Sequence, residues 1–328
     1  PGSLAIIAGT VVAGPVIEGA DLIINAFSVI SGKRLSSGEV EINTDGTFDM
    51  RISDYLGPVV FVLTTDSEQP DYLDEALGEA VNLSGSVAAI ANIVEGEQSI
   101  SVTPLSTLAA LQLQMELLGV DGAAQSITLA EVANSQDITD AIAKVTQAFG
   151  LATEEYHGEI IPTITLDDDG NVIANQSANS YGILLAALAG FDYSDNENLT
   201  EGLIKLADEI IYDSQADTYT LSIEGQGIIL RGADAAAERS SISVEDVARI
   251  IDPESETAAA SFDPANISTL KPSVAAMITA ETIAAFDAET LGQIDGEVLS
   301  VLDGEGLSQW QTNNADQNIL TVVGDKLS

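Results

Sequence analysis

The chain changes character within the stretch SVTPLSTLAALQLQMELLG, residues 101–119. It opens with β-branched residues and reaches Pro104, a residue type that is favoured in the first turn of a helix. Leucines then recur at helical spacing, at Leu108, Leu111, Leu113, Leu117 and Leu118. The stretch therefore predicts a strand that runs directly into a helix, with β structure before it and mainly helical structure after it.

Residues 4–104 carry the signals of an immunoglobulin-like antiparallel β-sandwich. Short runs rich in β-branched residues are separated by Gly, Asp and Pro at the spacing of such a sandwich. These runs lie at 4–14, 21–29, 38–53, 57–65, 79–83 and 86–93. Within the third run, Asp45-Gly46 is a hairpin turn signal between two alternating segments.

Residues 105–255 predict a mainly helical domain. Several segments begin near a Ser, Thr, Asp or Asn that can cap a helix. These segments lie at 127–135, 137–151, 179–191, 199–213 and 243–252. One small hairpin near 163–174 interrupts them, with Asp169-Gly170 at its turn.

Residues 264–311 repeat a unit of eight residues, as in AETIAAFD (280–287) and AETLGQID (288–295). The fourth place holds Ile267, Ala275, Ile283, Leu291, Leu299 and Leu307, and the seventh holds Leu270, Ile278, Phe286, Ile294, Leu302 and Trp310. An α-helix turns by about 800° over eight residues, so one continuous helix would spread these apolar residues around its whole circumference. The repeat therefore argues against a continuous helix.

The last place of the octets indicates how the tract folds instead. It holds the good N-cap residues Thr279, Asp287, Asp295 and Asp303, each followed two places later by a Glu in the first helical turn. Each octet is thus predicted to be one capped helical turn and a bend, and stacked octets would form a narrow solenoid. The sequence leaves two roles open for it: a spacer or stalk, and a terminal cap on the helical domain.

Charge limits the partners of this chain. Its 52 acidic residues against 10 basic ones give a formal net charge of −42, which would repel nucleic acids and anionic membranes. Calcium is the cofactor candidate, because hard cations bind carboxylate and carbonyl oxygens. The longest apolar stretch, 181–191, is too short to span a bilayer, so no membrane insertion is expected. The absence of cysteine excludes disulfides, thiolate zinc sites and cysteine nucleophiles.

The densest acidic stretch follows the β run at 57–65. Its carboxylates repel one another unless they are solvated or bind a cation, so we identify five of them as candidate calcium ligands. They are Asp66, Glu68, Asp71, Asp74 and Glu75. The alternative is a solvated acidic loop. Two further acidic stretches, 167–171 and 192–198, are better explained as a hairpin turn and as the loop before the next helix.

Catalytic motifs are weak. His157 is the one histidine, and because no Gly-x-Ser-x-Gly motif accompanies it, we interpret it as a loop histidine. Paired carboxylates can hydrolyse polysaccharides, but among 52 acidic residues some pair falls at a suitable distance by chance. We therefore expect no enzyme, with a polysaccharide-active enzyme of that kind as the remote alternative.

Several stretches together resemble a module of large bacterial repetitive (RTX-type) surface adhesins. They are GTVVAGPVIEGADLIINAF, NTDGTFDMRI, GPVVFVLTT, DYLDEALGEAVNL, ISVTPLSTLAA and ANSYGILLAALAGF, together with the octets. In that module a carboxypeptidase-regulatory-like β-sandwich runs through a VTPLT-type strand into a helical domain, and TPEQ-x-AAL-type octets occur in the same adhesins. The family's acid-Glu-Ala-Thr-Gly loop reads Asp74-Glu75-Ala-Leu-Gly78 here, which leaves the role of that loop open.

The resemblance implies an extracellular location on a bacterial cell surface, calcium-dependent relatives, and a role in cell adhesion or biofilm formation. We accordingly expect a non-enzymatic structural or adhesive segment whose partners are neighbouring domains of a longer chain. The opening Pro1-Gly2-Ser3, without an initiating Met, also indicates a piece of something larger. The alternative is a module that binds a surface glycan, a peptide or a protein.

Overall fold

Runs of β-branched residues build the first part of the chain. The computed structural model describes residues 2–36, 40–117, 120, 123–129, 133–167, 171–195 and 199–327. Its first strands are β1 (Leu4–Val11), β2 (Leu22–Ser28), β3 (Val40–Glu41), β4 (Thr47–Ser53), β5 (Gly57–Thr65), β6 (Tyr72–Leu73), β7 (Ala80–Val81), β8 (Val87–Ile93) and β9 (Gly96–Val102). Helices dominate after these strands, so the chain is an α+β protein as predicted.

Two sheets hold most of these strands. One is four-stranded and antiparallel in the order β3-β2-β5-β8, and the other is three-stranded in the order β4-β1-β9. The prediction of purely antiparallel strands is wrong at one pair, because β1 and β9 run parallel, with Ala5 opposite Gly96. The other strands of the two sheets lie between these two in sequence, so no tight turn forces β1 and β9 to be antiparallel.

The turn at Asp45-Gly46 links the two sheets. Gly46 has a left-handed φ of 78°, and Asp45 Oδ1 accepts hydrogen bonds from the amide and hydroxyl of Thr47 at 3.0 and 2.6 Å. The strands on either side of it, β3 and β4, belong to different sheets. The signal thus marks a turn, as predicted, but the turn does not close a hairpin of paired strands.

The four-stranded sheet is covered on both faces. Every residue of β2 is buried, as is the whole interior of β5, which is the pattern of strands between two layers. Strand β4 instead alternates between buried and exposed residues, so one face of the three-stranded sheet meets solvent. Helices α1 (Pro104–Gln112) and α2 (Ser135–Ala148) pack against β8. A single apolar core therefore runs from Ala5 in the sheets to Ile251 in the helices.

Helix α1 begins at the predicted place and ends early. Its capping box joins Thr103 and Ser106: the Thr103 hydroxyl accepts from the Ser106 amide at 2.9 Å, and the Ser106 hydroxyl accepts from the Thr103 amide at 2.8 Å. The helix stops at Gln112, and Gln114 takes a left-handed φ of 55°. The helical prediction is therefore wrong beyond residue 112, and its last residues, 118 and 119, lie outside the described residues.

The remaining helices of this part are α3 (Ser180–Asp195), α4 (Leu199–Asp208), α5 (Ile223–Ala237), α6 (Val244–Ile251) and α7 (Ser255–Ala260). The predicted hairpin near 163–174 is confirmed as β10 (Ile164–Leu166) paired with β11 (Val172–Ala174), although its turn, 168–170, lies outside the described residues. The helix predicted for 199–213 ends at Asp208, and β12 (Ile210–Asp213) pairs with β13 (Thr218–Leu221). The helix predicted for 127–135 is wrong in its described part, where Leu129 bridges to Met115.

Helices α3 and α5 cross with their backbones in contact. A Cβ added to Gly190 on α3 would lie 1.9 Å from the carbonyl oxygen of Gly232 on α5, and one added to Gly232 would lie 2.1 Å from that of Ala187. Only glycine fits at such a distance, because any side chain would push the two helices apart. Helix α5 was not predicted from the sequence, since its three glycines (Gly225, Gly227 and Gly232) obscure the helical pattern.

The octets form short helices with a bend between them. After a 3₁₀ turn at Pro264–Thr269 come α8 (Pro272–Ala275), α9 (Ala280–Ala284), α10 (Ala288–Gln293), α11 (Gly296–Leu299) and α12 (Gly304–Asn313), followed by α13 (Ile319–Val323). The predicted caps are confirmed: the side chains of Thr279, Asp287, Asp295 and Asp303 each accept a hydrogen bond from the backbone of their own helix. The fourth and seventh places are buried, except for the half-buried Leu307.

The helix of each octet packs against the helix three octets further on. The 3₁₀ turn contacts α10, α8 contacts α11, and α9 contacts α12. Trp310 Nε1 donates to the carbonyl oxygen of Phe286 at 2.8 Å, a separation of 24 residues. We call residues 264–327 the octet coil. It has its own apolar core from Ile267 to Val323, and α8 and α11 also pack on α5.

Candidate functional site

The predicted calcium ligands lie in the acidic loop, residues 66–83, between β5 and β8. Asp66 and Glu68 are exposed, whereas Asp71, Asp74 and Glu75 are buried. The structure therefore divides the five residues into a solvated pair and a buried trio. Among the residues that the structure describes, no group of three His, Cys, Asp or Glu side chains is placed to hold a metal ion.

Asp71 organises the loop from inside. Its Oδ1 accepts hydrogen bonds from the Asp21 amide and the Thr65 hydroxyl, both at 3.2 Å. Its Oδ2 accepts from the Leu83 amide at 2.9 Å and from Asn82 Nδ2 at 3.2 Å. Protein donors thus serve both oxygens, and this carboxylate holds the two ends of the loop together.

Asp74 and Glu75 are carboxyls with raised pKa values. Burial raises the pKa of Asp74, although its Oδ1 accepts from the amides of Ala76 and Leu77 at 2.8 and 2.7 Å. Burial raises the pKa of Glu75 to about 7. Hydrogen bonds to its carboxylate, including one from the Thr163 hydroxyl at 3.0 Å, lower the pKa but do not offset the effect of burial. Thr163 adjoins the β10–β11 hairpin, so Glu75 joins the acidic loop to the helical part of the chain.

Further hydrogen bonds connect the acidic loop, and Ser86 just after it, to the helices. Arg239, just after α5, donates to the Leu77 carbonyl oxygen. The Thr200 hydroxyl on α4 accepts from the Ser86 amide at 2.7 Å and donates to the Ser86 carbonyl at 2.9 Å. The loop therefore forms part of a joint between the sheets and the helices.

Tyr156 and His157 close the free edge of β8. They lie in a 3₁₀ turn, Thr153–His157, so the interpretation of His157 as a loop histidine understated its role. Tyr156 Oη accepts from the Ile90 amide at 3.3 Å, and His157 Nε2 lies 3.1 Å from the Ile90 carbonyl oxygen. His157 Nδ1 accepts from the Ser101 amide of β9 at 3.2 Å. One neutral imidazole therefore bridges the edges of both sheets.

The protonation of His157 follows from these contacts. A carbonyl oxygen can only accept, so Nε2 carries the proton and Nδ1 is the acceptor. Burial lowers the pKa of His157 to about 4, because the charged ring would lose solvation. Nothing in the sequence near His157 signals this contact, because both of its backbone partners lie in strands distant in sequence.

One open cavity of about 600 Å³ lies where the end of α1, helix α2 and the β12–β13 hairpin meet. We call it the α2 groove, and its functional groups come from Gln112, Gln114, Asp137, Asp140, Lys144, Gln147 and Tyr219. The Lys144 ammonium lies 5.5 Å from the centre of the Tyr219 ring. No local sequence pattern indicates this groove, because its walls come from segments that are far apart in the chain.

No protein-family model, curated protein or solved structure matches this chain. Among the helices that the structure describes, none combines the length and the apolar character needed to cross a membrane.

Proposed function

We propose that this chain is a non-enzymatic structural segment of a large bacterial cell-surface adhesin, acting between neighbouring domains of a longer chain in cell adhesion or biofilm formation. In this proposal the two sheets are an immunoglobulin-like sandwich and the octet coil is a short solenoid. The sharing of one apolar core by two sheets supports the first assignment. The packing of each octet on the third following octet supports the second.

The contacts that join the sheets to the helices, and the helices to the octet coil, are the main support for the structural role. Buried side-chain hydrogen bonds cross from the sheets to the helices, including Glu75 to Thr163 and Ser86 to Thr200. At the other joint, the Ser273 hydroxyl of the coil donates to Asp252 at 2.8 Å, and Arg231 of α5 pairs with Glu297. Such joints suit a segment that transmits force without bending, and the anchoring of the coil on α5 favours the terminal-cap role over a free stalk.

Scarce cations reinforce these joints. The chain has only 10 Lys and Arg residues, yet Arg231, Arg239 and Lys326 each link separate elements. Lys326 Nζ donates to the carbonyl oxygens of Gly292 and Ile294 at 2.6 and 2.8 Å, closing the last turn of the coil. Calcium remains part of the proposal as a counterion for the acidic surface, since its 52 carboxylates repel one another.

Mechanical unfolding of the chain, held at both ends, tests the proposal. We expect the coil to unravel first and the sheet–helix core to unfold in one cooperative event, because one apolar core spans both sheets and helices. Several separate events within residues 4–251 would contradict the proposed rigid unit. Repeating the pulls with calcium and with a chelator tests the calcium proposal, which an unchanged unfolding force would remove.

Incubation with mixed polysaccharides tests the non-enzymatic part separately. We expect no release of reducing sugar. Release that Asp74→Asn or Glu75→Gln abolishes would instead establish the remote alternative, a hydrolase that uses paired carboxylates.

A further inference from the structure

We propose that the α2 groove binds a neutral oligosaccharide. This adds a ligand site to the structural role proposed above, and it rests on that role only in placing the groove outside the cell. Binding sites are concave and combine an apolar or aromatic surface with a few polar groups that fix orientation.

The floor of the groove is a polar stripe on one face of α2. Asp140, Lys144 and Gln147 follow each other at intervals of four and three residues, so they lie on the same side of the helix. Asp140 Oδ1 accepts from Gln136 Nε2 at 2.7 Å, which leaves its second oxygen as an acceptor. Gln147 Oε1 accepts from the Thr218 hydroxyl and the Tyr219 amide, both at 3.2 Å, which leaves its amide nitrogen as a donor.

Gln114 forms part of the wall of the groove, and its left-handed backbone conformation is energetically unfavourable for a residue other than glycine. It sits just past the end of α1 with a φ of 55°, a position that helices commonly fill with glycine. Its backbone amide donates to the Leu111 carbonyl at 2.8 Å, while its exposed side chain lines the groove. A glutamine that takes this strained conformation supplies both a donor and an acceptor to a ligand.

Two tyrosine rings lie at the β12–β13 side of the groove. Tyr219 lines the groove, and Tyr212, directly across the β12–β13 pair, has its ring centre 5.4 Å from that of Tyr219. Tyr212 is 54% exposed. A sugar ring has a C–H face that packs on an aromatic ring and hydroxyls that both donate and accept. The tyrosines and the amide and carboxylate groups match these two properties.

Charge selects the class of sugar. A net charge of −42 repels acidic polysaccharides, and Lys144 is the one cation among the functional groups that define the groove. A cationic peptide is the competing ligand, because Asp137 and Asp140 would attract it. Lys144 opposes that ligand, and Asp137 Oδ2 already accepts from the Asn134 amide at 2.7 Å in the cap of α2. The remaining acid, the base and the neutral amides favour an uncharged partner.

The test is an NMR titration of the whole chain with neutral hexasaccharides (β-1,4-glucan, α-1,4-glucan and β-1,4-mannan) and with a lysine hexapeptide. We expect at least one hexasaccharide to bind, with the largest shifts at Gln114, Lys144 and Tyr219. Gln114→Gly should weaken binding about tenfold, a loss of about 1.4 kcal/mol. The same variant should melt at an unchanged or higher temperature, because glycine relieves the left-handed strain. Gln309→Ala, at an exposed glutamine of α12, is the matched control and should bind as the parent does.

A loss of affinity without a loss of stability cannot come from unfolding, so this variant separates the ligand contact from a structural role. No binding of any hexasaccharide, shifts confined to other surfaces, or equal weakening by Gln309→Ala would overturn the proposal. Binding of the lysine hexapeptide in place of the sugars would overturn it as well. None of these outcomes affects the structural proposal, which the mechanical experiment tests.

Discussion

The sheet–helix core and the octet coil are two apolar interiors built on different principles. The core joins elements from Ala5 to Ile251, so each of its layers depends on partners far away in sequence. In the coil, each helix packs against a helix only three octets further along the chain, as α8 does against α11 and α9 against α12. The core should therefore unfold as a unit, whereas the coil should respond to changes in small increments.

Glycine shows the same contrast. In the core, Gly190 and Gly232 let two long helices touch at a single crossing. In the coil, Gly306 lets α12 approach α9, since a Cβ there would lie 2.9 Å from the Ala280 Cα. Helices α3 and α5 cross once, whereas the coil repeats the contact between helices three octets apart, at the 3₁₀ turn and α10, at α8 and α11, and at α9 and α12. Four substitutions measure how far this difference extends.

Gly232→Ala should have the largest effect. The added Cβ would lie 2.1 Å from the Ala187 carbonyl oxygen, so α3 and α5 must move apart at the centre of the core. We expect a loss of about 3 kcal/mol or more in the free energy of unfolding, the upper range for overpacking. Denaturant unfolding measures it, with Gly304→Ala as the control, because a Cβ at Gly304 meets nothing within 4 Å. Equal stability of the two variants would show that the crossing is not tight.

Glu75→Gln should have the second-largest effect on the free energy of unfolding, and this effect should depend on pH. The raised pKa means that the folded chain holds this proton more tightly, so the contribution of Glu75 is present below pH 4.5 and is lost as pH rises through about 7. Glutamine mimics the protonated carboxyl. We expect the variant to be more stable than the parent by up to about 3 kcal/mol at pH 8 and equal to it below pH 4.5.

Matched controls sharpen that prediction. Glu68→Gln, at an exposed carboxyl of the same loop, should show no such pH dependence. His157→Gln should show the opposite trend, because a lowered pKa gives stability that is present above pH 6.5 and lost as pH falls through about 4. Melting curves at several pH values measure all three. A pH-independent difference for Glu75→Gln would mean that its carboxyl is not desolvated.

Gly306→Ala should disturb the coil alone. Its Cβ would lie 2.8 Å from the Ile283 Cβ and close to the Ala280 backbone, but α12 is short and can shift. We expect a loss of about 1–2 kcal/mol, confined to residues 264–327. Hydrogen exchange measures where protection falls, and Gly304→Ala in the same helix is the control. Loss of protection in β5 or α3 would show that the coil and the core unfold together.

Asp303→Ala should have the smallest effect. Asp303 Oδ1 accepts from the amides of Glu305 and Gly306 at 2.7 and 3.1 Å, and removal of such a cap costs about 1 kcal/mol. Asp303→Asn keeps the cap and removes the charge, so it should retain the stability of the parent. Thermal melting compares the two. If both variants gained stability, charge repulsion would outweigh capping at this position.

Prediction from the sequence succeeded where the signal was local. The octet caps were predicted because a cap and its helix lie within a few residues, as for Asp303 and Gly306. The strand-to-helix junction at Thr103 was predicted for the same reason. Helix α5 was missed because its glycines serve a contact with α3 that no local pattern reveals.

The burial of the candidate ligands could not be predicted from the sequence for a related reason. The acidic residues 66–75 look alike in sequence, but Asp66 is exposed while Asp71 has donors from three different segments. Whether a carboxylate faces solvent or a buried amide depends on the tertiary packing of the loop. His157 and the α2 groove depend equally on segments distant in sequence, so neither had a local signal.

The proposal that the core and the coil form one rigid segment is tested most directly by a distance measurement between them. The chain has no cysteine, so Asp49→Cys in β4 and Gln309→Cys in α12 give two specific, exposed positions for spin labels. Double electron–electron resonance should give a single distance distribution as narrow as that of a reference pair within the core, Asp49→Cys with Gln136→Cys. A broad or bimodal distribution for the first pair, beside a narrow one for the reference, would contradict the rigid joint.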